Sequence, residues 1–107
     1  MTATEKLLTE MEIPVSFITN MKNCGKFYEC STGFAWLKNC GTHYQMMCES
    51  TEKPWSSSFI KMLLKSRKDW DKDVITKSED PDVISFCCKA GAEKAEDTCV
   101  IWRLKNV

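Results

Sequence analysis

Cys40-Gly-Thr-His43, followed by Cys48, places two thiols and an imidazole close together in the chain. Such donors suit tetrahedral zinc. A structural zinc site brings two close cysteine pairs, however, and no Cys-x-x-Cys occurs here, so the spacing favours an ordinary surface histidine. His43 is the sole histidine, and any Cys–His nucleophile pair would have to use it. No nucleophile elbow, Gly-rich phosphate loop or paired-carboxylate motif accompanies it. The acidic run Glu79, Asp80 and Asp82 lacks the spaced ligands and central glycine of a calcium loop and reads as a solvated turn. The residues therefore nominate no catalytic group, metal or cofactor, and a binding role is the expectation.

The elements that would position a binding site follow from periodicity and punctuation. Thr2 and Thr4 precede an apolar stripe at Leu7, Leu8 and Met11, with Glu5 near the first turn, which predicts a short capped helix to about Met11 that Pro14 ends. Residues 26–40 predict two strands joined at Ser31-Thr32-Gly33. A third strand over 43–49 alternates Tyr44, Met46 and Cys48 with Gln45, Met47 and Glu49. Lys53-Pro54-Trp55-Ser56 reads as a helix start, and Phe59, Ile60, Leu63, Leu64 and Trp70 continue at helical spacing, predicting one long helix over about 56–70. Residues 74–78 and 83–88 flank a Pro- and Asp-containing turn and predict a hairpin. On that reading the neighbours Cys87 and Cys88 point to opposite faces of a strand. Residues 90–97 read as a polar connection and 99–104 as a strand internal to the sheet. The expected fold is α+β, an antiparallel sheet packed on one long helix in a single domain spanning 1–107.

The 107 residues include equal numbers of basic and acidic side chains, 15 of each. There is no net field to draw in nucleic acid. Apolar runs are far shorter than the roughly 20 residues that span a bilayer, and the N-terminal segment lacks the blocks of a signal peptide. Seven cysteines would build a disulfide framework in a secreted chain, but the odd number leaves one over. With six methionines as well, the balance favours a reduced cytoplasmic protein, with secretion as the alternative.

Two stretches resemble known families. Phe59-Ile-Lys-Met-Leu-Leu-Lys-Ser-Arg-Lys-Asp-Trp-Asp resembles the helix of START-type lipid-binding domains that ends in Arg-x-x-Trp-Asp. Thr98-Cys-Val-Ile-Trp-Arg103 is similar to a later strand of that family, and the likeness spans 34–105. It implies a partial helix-grip fold, a curved sheet around a long helix enclosing an apolar cavity. The chain departs from the family in its short strand after Trp70-Asp71 and in lacking the closing C-terminal helix. The segment from Asn23 to Cys48, with Cys24, Cys30 and Cys40, resembles a peritrophin-type chitin-binding module. That likeness implies bracing disulfides and aromatic side chains, here Phe27, Tyr28, Phe34 and Trp36, stacked on sugar rings. The family's first cysteine is absent and Cys48 arrives early.

The expected function is a non-catalytic binding domain for a lipid or other apolar ligand, with a secreted disulfide-stabilised module for carbohydrate or a protein partner as the alternative. Trp36, Met46, Phe59, Leu63, Phe86 and Ile101 are the candidate ligand-binding residues in the START-like reading. An incomplete grip would leave sheet edges and apolar surface uncovered, so a homodimer is a further expectation.

Overall fold

The structure is a computed structural model that describes residues 1–53 and 55–104. Pro54 of the expected helix start and residue 105 of the START-like stretch lie outside the described residues. A six-stranded sheet has the order β1-β2-β3-β4-β6-β5, with β1 Gly25–Cys30, β2 Gly33–Asn39, β3 Tyr44–Ser50, β4 Val74–Lys77, β5 Glu93–Glu96 and β6 Cys99–Trp102. Four α-helices cover it: α1 Ala3–Glu10, α2 Phe17–Asn23, α3 Ser57–Ser66 and α4 Pro81–Lys89. The fold is α+β.

The N-terminal helix forms as its capping signals require. Thr2 Oγ1 accepts from the Glu5 N–H at 3.1 Å and Glu5 Oε1 accepts from the Thr2 N–H at 2.9 Å, which satisfies two donors that a helix start leaves open. At its other end the Ile13 N–H returns to the Leu8 carbonyl and the Glu12 N–H to Thr9. This closing turn places Glu12 at φ 61°, a left-handed conformation that glycine normally fills. Helix α2 has no capping side chain and carries none of the sequence signals of α1.

The strands β1, β2 and β3 form an antiparallel meander with Phe27 opposite Trp36 and Leu37 opposite Met46. Gly33 is required at the first turn, because a Cβ there would lie 2.1 Å from the Glu49 carbonyl oxygen and 3.0 Å from the Phe59 ring. The chain then crosses over through α3 and a 3-10 turn at Arg67–Asp69, and β4 joins β3 in parallel. The sheet is therefore mixed, not purely antiparallel: a helix between two adjacent strands carries the chain back to its starting end. The helix expected over 56–70 is shorter than a single long rod, with ten α-helical residues before the 3-10 turn.

The largest departure lies at 83–88, expected as a strand and folded as the middle of α4. Asp80 is its N-cap, accepting from the Asp82 N–H at 2.9 Å, and Pro81 takes the first turn, where a missing N–H costs nothing. Gly91 ends it at φ 111°, with the Ala92 N–H bonded to Cys87 and the Gly91 N–H to Cys88. The expected hairpin therefore does not form. Cys87 and Cys88 do not alternate across a strand; they are successive helix positions, one buried and one half-buried. Residues 90–97 are not only a connection, since β5 forms within them and pairs with β6. Strand β6 does sit inside the sheet, between β4 and β5.

One core lies between α3, α4 and the sheet and includes Leu37, Met46, Phe59, Leu63, Trp70, Val74, Ile84, Val100 and Trp102. Each such side chain removed from water contributes about 1.5–3 kcal/mol. A smaller cluster on the opposite face joins Leu7, Leu8, Met21 and Phe34, with Phe17, Phe27 and Trp36 at its margin.

Candidate functional site

Strand β3 and strand β4 pair only over Tyr44–Met46, opposite Val74, Ile75 and Thr76. Strand β3 runs on to Ser50, whereas the chain after Lys77 turns away into α4. A cleft of about 520 Å³ opens where the two strands part, lined by Met46, Cys48, Trp55, Ser78 and Asp80 among others. A second groove of about 440 Å³ adjoins it at Trp55, with Ile60, Val83 and Phe86 as its apolar lining and Lys53, Asp80 and Asp82 as its polar lining. Lys53, Trp55, Asp80 and Val83 belong to both.

Trp55 is fixed from below. Its ring centroid lies 4.8 Å from that of Phe59 and 5.2 Å from that of Phe86, the latter edge-on. It immediately precedes the N-cap of α3, where Ser56 Oγ accepts from the Phe59 N–H at 3.2 Å and contacts Thr32 Oγ1 at 2.8 Å. These bonds tie the start of α3 to the β1–β2 turn and set the ring's position. On the opposite wall Ser78 donates its N–H to Thr98 and accepts from the Asp80 N–H, so the start of α4 is anchored to the sheet.

The six candidate residues are divided by the sheet. Trp36 and Met46 line the cleft, and Phe86 lines the groove. Phe59 is fully buried beneath Trp55, and Leu63 is also buried in the same core. Ile101 sits on the opposite face of β6 from the buried pair Val100 and Trp102. The space beneath α3 is thus filled by its own side chains, and the accessible volume lies beside the start of that helix. Trp55, Ile60 and Val83 were not among the candidates. An aromatic residue just before an N-cap, followed by an apolar residue one turn into the helix, is the pattern of a hydrophobic staple, and that pattern at Trp55 and Ile60 marks the groove.

Burial pushes both Cys48 and Cys87 up to about 12, which keeps them protonated. All seven cysteines are free thiols. Cys40 is exposed and His43 Nδ1 lies 3.0 Å from Thr42 Oγ1; no group of three or more metal-ligating side chains occurs among the described residues. Of the rings in the chitin-binding resemblance, Phe34 is fully buried, Phe27 stacks on it at 5.8 Å, and Trp36 Nε1 donates to the Met21 carbonyl at 2.8 Å. Among the described residues no helix is long and apolar enough to cross a membrane.

No family model matches the chain, and no curated protein or solved structure matches it.

Proposed function

We propose that the protein is a non-catalytic binding domain that takes an apolar group against Trp55, whether that group belongs to a lipid, another small molecule or a protein partner. The observation that carries this reading is that one aromatic ring, packed against Phe59 and Phe86, lines both adjoining cavities. Concave sites that mix apolar walls with a few placed polar groups are the usual form of ligand pockets. Here the polar groups are Lys53 on one wall and Asp80 and Asp82 on the other. An apolar body with a cationic end suits the groove, because carboxylates outnumber lysines there.

Titration of 15N-labelled protein with 4-phenylbutylammonium tests the site. The expected result is a set of shifts centred on the Trp55 indole, Ile60 and Val83, with affinity reduced about tenfold by Phe86→Ala and unchanged by the exposed Leu64→Ala. Shifts that leave Trp55 unmoved would overturn the assignment.

A further inference from the structure

The sheet ends in two edges of different build, β5 on one side and β1 on the other. Strand β5 has four residues, all exposed, two of them glutamates and one a lysine, and its ladder with β6 is broken between Lys94 and Glu96. Short, charged and bulged edges are the usual guard against strand addition. Strand β1 is neither short nor bulged. It runs six residues in unbroken register with β2, brings Phe27, Tyr28 and Cys30 to the margin of the sheet, and has no buried residue. The Asn39 N–H bonds to the Cys24 carbonyl at 2.8 Å, so residues 24, 26, 28 and 30 turn their backbone groups toward β2, and Gly25, Phe27 and Glu29 turn theirs outward. Among the described residues no strand lies beyond them. Phe27, Tyr28 and Glu29, three consecutive residues, line a groove of about 510 Å³ whose opposite wall carries Met62, Lys65 and Asp69, which places that groove along the edge itself.

We infer that β1 is the surface by which two copies of this chain associate, paired antiparallel about a two-fold axis at Phe27 so that the sheet continues from one copy into the other. In that register the outward backbone groups of Gly25, Phe27 and Glu29 meet those of Glu29, Phe27 and Gly25 of the second copy. Isologous pairing requires each residue to complement the one it meets. Lys26 meets Tyr28 of the second copy, whose hydroxyl donates to Asp69 at 3.4 Å, and neither Lys26 nor Asp69 belongs to an ion pair among the described residues. Glu29 meets a glycine, so no like charges lie opposite each other. An axis centred on Tyr28 would instead bring the two Tyr28–Asp69 pairs face to face, like charge to like. The Phe27 register also sets Cys24 of one copy opposite Cys30 of the other. Residues 24, 26, 28 and 30 form the non-hydrogen-bonded pairs of such a dimer, with Cα atoms about 4.5 Å apart, a separation that a disulfide spans. Within one copy the length of the strand holds those two thiols roughly 20 Å apart.

The groove at Trp55 takes no part in this contact, so the two assignments stand or fall separately. Sedimentation equilibrium of the reduced full chain from about 5 to 500 μM should show monomer passing to dimer, since a paired edge with its flanking groove lies at the small end of specific interfaces. Hydrogen exchange of the Phe27 and Glu29 amides should slow at least about tenfold across that range, while the Trp55 indole signal stays where it is. Brief oxidation with copper phenanthroline at the highest concentration should yield a Cys24 to Cys30 disulfide in the peptide map, a link that only two copies can form. Lys26→Asp should weaken the dimer about tenfold, because the contact occurs twice in it, and adding Asp69→Lys should restore it. A misfolded variant would not be rescued in that way. A chain that stays monomeric throughout would overturn the inference. So would a dimer whose Phe27 and Glu29 amides exchange as fast as the monomer's, one in which Cys24 and Cys30 remain unlinked, or a charge exchange that restores nothing. The first three of these results come from the unaltered protein, so none of them depends on a variant that fails to fold.

Discussion

On one face of the sheet α3 and α4 close a core that reaches from Leu37 on β2 to Val100 and Trp102 on β6. On the other face α1 and α2 gather around Phe34 and Trp36. The first layer is built by helices that follow the meander, the second by the two N-terminal helices that precede it. The two layers also end helices in the same way with different residues. Helix α4 stops at Gly91 and α1 stops at Glu12, both left-handed. A turn imposed by hydrogen bonding and packing persists in α1 although its residue is poorly suited to it, because Ile13 and Leu8 share a cluster that holds the turn closed.

The comparison is broken most directly at the two buried centres. Phe59→Ala should cost about 3–5 kcal/mol and Leu8→Ala about 2–3 kcal/mol by urea denaturation, since the smaller cluster can relax around its cavity. Equal losses would show that the N-terminal layer is as strongly packed as its counterpart.

A second measurement sharpens the contrast through titration. Cys48 and Cys87, from an ordinary value near 9, and Tyr28 and Tyr44, from one near 10, are all raised to about 12. Burial is the leading cause for both thiols and for Tyr28, and the Asp71 hydrogen bond at 2.6 Å for Tyr44. Each group is neutral when protonated, so its stabilising contribution is complete below the ordinary value and is lost as pH climbs toward 12. All four belong to the α3–α4 side or pack against it. Denaturation midpoints should therefore fall between about pH 9 and 12, while amides of α1 exchange no faster than the alkaline rate itself dictates. A midpoint that stays level across that interval would contradict the packing described.

The smallest effect is expected at the helix ends. Glu12→Gly should raise stability by less than about 1 kcal/mol, because relief of the left-handed strain is partly offset by the greater freedom of glycine in the unfolded chain. Gly91→Ala should lower it by about 1 kcal/mol. A loss from Glu12→Gly would mean that the Glu12 side chain stabilises the turn in some other way.

Reading the sequence was most successful where a signal is local. The helix start signalled by Thr2, Thr4 and Glu5, the alternation of Tyr44 and Met46, and the helix-start cluster around Ser56 each depend on residues within one turn or one strand. The α4 segment misled because Val83, Ile84, Phe86 and the paired cysteines are strand formers by propensity. Asp80-Pro81 before them and Gly91 after them were the stronger guides, since caps reflect the hydrogen-bond needs of helix ends rather than side-chain preference. Of the site, Trp36, Met46 and Phe86 were legible as apolar positions, but nothing in their spacing places them near Trp55.

By itself the sequence determined the α+β character, the capped start of α1, the β1–β3 meander and the amphipathic stretch that becomes α3, all through interactions between near neighbours. Tertiary structure alone decided that β4 would lie parallel to β3 and part from it after Met46, because that depends on where the crossover helix deposits the chain. The cleft is a consequence of that parting, formed by two strands separated by 23 residues, and no periodicity along the chain records the space between them.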